Sequence, residues 1–254
     1  MKHKFAAQLY TLRNELEKDF PGVLRTLKNM GWEAVQIDGL FGYPAEEIAA
    51  VLKETGLKVA GMHVSLDRLN NELKTVLREA DLFGTTHLYC PYLDEEYLNV
   101  DGYKQVKREL LEVARKVSPL GYRVGYHNED YDFQTEVDGQ YALTYMLKPE
   151  GNQFIIPELD TYWIKKAGED PLSYIQKFPN RIPILHFKDM TKDERQTFAE
   201  VGTGSIDFEP ILQWGEENGV KYYCVEQDYC PGSPFDSLEI SLTNLVKMSE
   251  KLGL

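Results

Sequence analysis

The stretch FIIPELDTYWIKKAGEDPLSYIQKFPNRIPILHFKDM, residues 154–190, decides the architecture. It reads as strand, helix, strand, and each strand ends in a residue able to bind a metal: Asp160 after IIPEL and His186 after IPIL. An ionisable side chain at the end of a buried strand is costly unless that end opens onto a site. Two such endings, one unit apart, point to a shared purpose.

The same unit recurs along the chain as punctuation rather than as repeated sequence. A helix-like pattern, a glycine and a β-rich run follow one another at Gly31 before WEAVQID, Gly56 before LKVAGMHV, Gly84 before TTHLYC, Gly121 before YRVGYHN and Gly219 before VKYYCVE. Glycine takes the left-handed conformation that ends a helix without strain. Helical spacing fills the intervals: Leu69, Leu73, Val76, Leu77 and Ala80 share a face, as do Val106, Leu110, Val113, Ala114 and Val117, and Leu238, Leu242, Leu245, Val246 and Leu252. Asp101, Asp138, Asp207 and Asp236 stand where N-caps are expected.

Strands near 4–9, 154–160 and 182–188 bring the β-runs to eight, each followed by a helix candidate. Alternating strands and helices imply right-handed crossovers and a parallel sheet. Eight such units in 254 residues fit an α/β chain folded as a closed (β/α)8 TIM barrel, one domain over 1–254. The fallback, an open dinucleotide-binding sheet, lacks its GxGxxG fingerprint.

Composition narrows the function. A net charge of −13 argues against a nucleic-acid partner and against anionic membranes, and no apolar run is long enough to span a bilayer. Three cysteines, Cys90, Cys224 and Cys230, are too few and too scattered for a disulfide framework or a CxxC site, and the N-terminal segment lacks a signal-peptide pattern, so a reduced cytoplasmic setting is expected.

In a barrel of this kind, function gathers at the C-terminal ends of the strands. Those ends carry Gln8, Gln36 with Asp38, His63, Cys90, His127 with Glu129, Asp160, His186 with Lys188, and Glu226. Side chains alternate along a strand, so His127 and Glu129 share a face, as do Glu158 and Asp160, and His186 and Lys188. His, Asp, His and Glu form a mixed nitrogen and oxygen donor set suited to a divalent ion such as Mn, Co, Zn or Mg. Singly, each has a structural explanation: Asp160 as a helix cap, Glu226 as an ion-pair partner of Lys188.

The segments YHNEDYDF (126–133), LDTYWIKKAG (159–168), LHFKDM (185–190), EVGTGSIDF (200–208) and YCVEQD (223–228) resemble the sugar phosphate isomerase/epimerase family of xylose-isomerase-like barrels, and the resemblance runs along essentially the whole chain. LDTYW followed by HFKDM is its most specific part. The resemblance implies a TIM barrel with a divalent metal at its mouth, acting on a small-molecule sugar, sugar phosphate or keto-polyol, and often assembled as a homo-oligomer. It implies the metal ligands His127, Asp160, His186 and Glu226. Relatives with a His-Asn pair at strand five usually continue with His where this chain has Glu129, which either replaces a substrate-contacting residue or competes with His127 for the metal.

The chemistry expected there is isomerisation or epimerisation through an enediolate. Glu226 is the expected base, with His127 or Glu129 opposite and Lys188 steadying the oxyanion. Gln8, His63, Glu129 and Trp163 are expected to contact substrate, and Gly202 and Gly204 offer either an anion cradle or a tight turn. Alternatives are dehydration of a keto-inositol-like polyol and a barrel that binds sugar without catalysis. A repair-nuclease reading fails on five histidines and the strong negative charge.

Overall fold

The computed structural model describes residues Met1–Leu254 and contains a closed, all-parallel eight-stranded barrel. Its strands are β1 (Phe5–Gln8), β2 (Ala34–Asp38), β3 (Lys58–His63), β4 (His87–Cys90), β5 (Arg123–His127), β6 (Ile156–Asp160), β7 (Ile184–Phe187) and β8 (Tyr222–Val225). Each pairs with its sequence neighbours, and β1 closes the ring on β8. The expected TIM barrel is therefore the observed fold.

The helices arise as the punctuation predicted. Gly31, Gly56, Gly84, Gly121 and Gly219 all take positive φ, between 70° and 98°. The long helices Arg13–Met30, Val100–Val117 and Pro234–Leu252 bury their apolar faces against the outside of the barrel, and Val106, Leu110, Val113, Ala114 and Val117 lie in one core cluster of 64 buried residues. No helix is long and apolar enough to cross a membrane.

The capping expectations hold in part. Asp207 caps Phe208–Glu217, but Asn99 and Ser233 do the work expected of Asp101 and Asp236, which fall inside the first turns. Asp138 caps nothing. With Gly139 it forms the positive-φ turn of a hairpin between Glu136–Val137 and Gln140–Tyr141, the geometry that Asp-Gly pairs favour. The face beginning at Leu69 is split between Leu66–Asn71 and Leu73–Phe83.

Inside the barrel, side chains stack in layers. Ala6, Ala34, Ala60, Tyr89, Ile156, Ile184 and Cys224 form an apolar floor. Gly125 leaves room for the Tyr89 ring, which a Cβ there would meet at 2.3 Å. Two residues further along, the strands present Gln8, Gln36, Glu158 and His186, all fully buried, so the lumen turns polar halfway up. A register shift between β2 and β3 inserts one extra residue in β3, which puts Ala60 in the floor and still sets His63 opposite Asp38. Without that bulge, simple alternation would turn His63 outward.

Candidate active site at the barrel mouth

The C-terminal strand ends bring together His127, Asp160, His186 and Glu226, whose nearest donor atoms all lie within 4.8 Å of one another. They arrive from β5, β6, β7 and the residue after β8, and register places Asp160 beside His186. All four are buried. The helix-cap explanation of Asp160 holds at the same time: its Oδ1 accepts from the backbone N–H groups of Tyr162 and Trp163, while Oδ2 points into the cluster, 3.2 Å from the Lys188 ammonium.

The two imidazoles are oriented by their outer partners. Nδ1 of His127 lies 3.1 Å from the carbonyl oxygen of Pro91, to which it donates, so Nε2 turns an unprotonated face into the cluster. That Nε2 has no hydrogen-bond partner and stands 3.4 Å from Asp160 Oδ2. In His186 the roles of the nitrogens are reversed: Nε2 meets Gln36 Oε1 at 2.7 Å, and Nδ1 faces Glu226 Oε2 at 3.0 Å. Outer partners that fix the tautomer of each histidine are the usual support of metal-binding imidazoles. An orphaned buried ring nitrogen, His127 Nε2, amid a His₂–carboxylate₂ donor set fits a divalent cation.

Charge at the mouth is unbalanced toward the acids. Lys188, buried, sits 3.2 Å from Asp160, 3.0 Å from Glu226 and 2.9 Å from Asp228. Burial opposes its charge, but these carboxylates outweigh burial and hold the ammonium well above its ordinary value. Burial likewise opposes ionisation of Glu226, yet Lys188 and His186 keep it well below the usual carboxylate range. His186 is held up to about 9, because Glu158 and Glu226 overcome its burial. His127 is pushed down by burial and by its imidazole neighbours against the pull of Asp160. Burial, opposed by Lys188 and reinforced by Asp160, Asp228 and Glu226, pushes Glu129 up to about 9.

Below this cluster lies a second one built on Glu158, whose Oε2 is 2.7 Å from His63 Nε2 and 3.5 Å from His186 Nε2. The His63 and His186 rings stack at 5.3 Å, with the Glu158 carboxylate reaching both. Glu158 and Asp228 were not among the residues expected to act. Both carry the signal of strand parity, two residues before Asp160 and two after Glu226.

A pocket of about 240 Å³ opens over the cluster, lined by His63, His127, Glu129, Trp163, Lys188 and Glu226 among others. Tyr10, Asp38, Tyr92 and Asp228 complete its polar rim, none of them predicted to contact substrate. Gln8 differs from expectation. It is fully buried below the pocket, its amide 3.2 Å from Nδ1 of His63, so it supports that ring instead of lining the cavity. Glu129 lies beyond the end of β5 and outside the four-residue cluster, which leaves His127 as the strand-five member.

The glycine loop binds an anion, but the anion is the protein's own. Asp189 Oδ2 accepts from the N–H groups of Gly202 and Gly204 at 3.0 and 2.9 Å, while Oδ1 accepts from Ile206 at 3.0 Å. A Cβ at Gly204 would lie 2.2 Å from the Met190 carbonyl oxygen, so the nest needs glycine there.

The profile of the xylose isomerase-like TIM barrel matches residues 24–234. The chain belongs to that family. It is 24% identical over 159 residues to the inosose dehydratase of Clostridium beijerinckii, covering 55% of this chain and 52% of that one. It is 26% identical over 212 residues to the inosose dehydratase of Erwinia tasmaniensis, covering 73% and 63%. The chain thus spans about half the length of the first of these curated relatives. Among solved structures, a sugar phosphate isomerase/epimerase from Parabacteroides distasonis superposes with a TM-score of 0.81 at 23% identity, over 96% of this chain and 94% of that one, which speaks to the fold of this family.

Proposed function

We propose that the barrel mouth enolises an uncharged keto-polyol at a divalent metal centre, and that loss of water follows, as in a dehydratase of an inosose-like substrate. The observation that carries this reading is the convergence of His127, Asp160, His186 and Glu226 with both imidazoles turned by outer partners to face one point. A divalent ion held by these four residues would supply Lewis-acid polarisation of a substrate carbonyl.

The residues of the chain divide the remaining work. Glu226, kept ionised by Lys188 and His186, takes the proton from the carbon beside the carbonyl. The electron pair of that C–H bond forms the enolate, whose oxygen Lys188 faces. Glu129, three strands round the barrel from Glu226, supplies the proton with which the β-hydroxyl leaves as water, and an enone remains. His63 and the Trp163 ring bound the polyol, one polar and one apolar wall.

Two features support an unphosphorylated substrate. The loop that would cradle a phosphate is filled by Asp189, and the pocket carries Asp38, Glu129, Glu226 and Asp228 against Lys188 alone among its lysines and arginines. The volume, below the roughly 300–1,000 Å³ of drug-sized pockets, suits a small polyol. The curated relatives named inosose dehydratase favour elimination as the fate of the enolate. Isomerisation or epimerisation is the second reading, favoured by Glu129 standing on the wall away from Glu226, where it could return a proton from the other face.

The test is incubation of Mn²⁺- or Co²⁺-reconstituted protein with a keto-inositol and with unphosphorylated ketohexoses in D₂O, followed by NMR. Enone signals from the keto-inositol are expected. Deuterium incorporation with a new stereocentre and no loss of water would select the second reading. No exchange with any substrate would contradict enolisation.

A further inference from the structure

The opposite end of the barrel carries a feature that the mouth does not need. A cavity of about 240 Å³ opens at the N-terminal ends of the strands, and it is lined by Arg123 at the start of β5, Arg181 ahead of β7, Lys221 ahead of β8, and His87 at the start of β4. None of its ten lining residues is acidic. In a chain with 41 acidic residues against 28 lysines and arginines, three cations converging with no carboxylate among them is unusual. Nor does any of the three have a carboxylate within salt-bridge distance.

The two arginines are held in place by the backbone. Arg181 donates to the carbonyl oxygens of Leu147 at 2.8 Å and Ile155 at 3.4 Å, and Arg123 donates to that of Tyr122 at 3.1 Å. Each of these bonds fixes a guanidinium without neutralising it. His87 faces Arg123 directly across the β4–β5 pairing. Burial, with Lys221 and Arg123 nearby, pushes its imidazole down to about 4, so at neutral pH it is an uncharged ring able to donate one hydrogen bond. Phe154 and Ile182 form an apolar wall on one side of the cavity.

We infer that this N-terminal cavity is a second binding site, for a phosphate group, held by Arg123, Arg181 and Lys221 and separate from the mouth. Guanidinium groups match phosphate oxygens in bidentate geometry, and a cleft lined by one sign of charge concentrates the opposite ion. The phosphate arrives either free or on a small organic group that rests on Phe154 and Ile182.

The experiment is an NMR titration of the full chain with inorganic phosphate at about pH 7, read at the His87 ring signals, which the His87→Gln variant assigns. Sodium chloride at equal ionic strength is the control. A saturable shift with phosphate alone is expected, weakened by about tenfold or more in the Arg123→Gln/Lys221→Gln variant. Both side chains are exposed, so the variant is expected to fold, and Arg181, which ties down two carbonyls, is left intact. Phenyl phosphate distinguishes the sources: tighter binding than inorganic phosphate assigns a phosphomonoester, and equal binding assigns the free ion. Unmoved His87 signals, an equal response to chloride, or an unchanged isotherm in the double variant would overturn the site.

Discussion

Gln36 Oε1 lies 2.7 Å from Nε2 of His186, and this contact decides which edge of the imidazole looks into the barrel mouth. The amide cannot be reversed at no cost, because its Nε2 donates to Glu158 Oε1 at 2.6 Å. Nε2 of His186 must therefore donate, and Nδ1 is left for the cluster. Gln36→Leu keeps the volume roughly and removes the acceptor. Metal affinity, measured by competition with a chromophoric chelator, is expected to fall by roughly 10–100-fold, the usual effect of losing such an outer partner. Unchanged affinity would mean that His186 is oriented by Glu158 or Glu226 alone.

Glu129 and His127 are separated by their positions relative to β5, since the strand ends at His127 and Glu129 lies in the loop. Glu129→Gln is expected to lower turnover by roughly 10²–10⁴-fold while leaving metal content intact, as for loss of an acid or base. Metal analysis of the variant beside its rate checks both halves. Loss of the metal would make Glu129 a ligand.

His63 stands between Glu158 at 2.7 Å and Asp38 at 3.1 Å. Burial opposes its charge, but Glu158 and Asp38 raise it to about 10. In the unfolded chain the imidazole loses its proton near 6.5. Between those values the native state binds more protons than the unfolded one, so this contribution is complete below about pH 6.5 and is lost as pH rises toward 10. Denaturant midpoints of the chelated protein at about pH 6 and pH 9 should differ more in the wild type than in His63→Gln. Equal differences would remove His63 as the cause.

The thiols give a check on packing. Burial pushes Cys90 up to about 12 and Cys224 well above the usual thiol value, whereas Cys230 is partly exposed. A thiol reagent is expected to label Cys230 alone in the native protein and all three cysteines in denaturant. Native labelling of Cys224 would show an open lumen.

The barrel was legible because each of its devices is local. A glycine past a helix end and a β-rich run after it are visible within ten residues, and all five glycines took the conformation the sequence implied. The convergence of His127, Asp160, His186 and Glu226 was legible for the same reason, as strand-end positions in a closed barrel come together. What escaped depended on tertiary pairing. Strand parity puts Glu158 on the face of Asp160, but its role shows only when His63 and His186 arrive from β3 and β7, and Gly61 was the one local sign of the bulge that turns His63 inward. The Asp189 nest joins residues 13 to 17 positions apart, so VGTGSIDF alone could not say which anion its glycines hold. Asp138 shows the opposite failure, a helix-cap residue type claimed by the stronger local preference of an Asp-Gly turn.

The four-residue centre is tested most directly by the metal content of the purified protein, measured by plasma mass spectrometry before and after chelation, beside the His186→Ala/Glu226→Ala variant. Near-stoichiometric divalent metal is expected in the wild type or on reconstitution, and none in the variant, with the barrel fold retained by circular dichroism. Full occupancy in the double variant, or a wild type that takes up none of Mn²⁺, Co²⁺, Zn²⁺ or Mg²⁺, would contradict it.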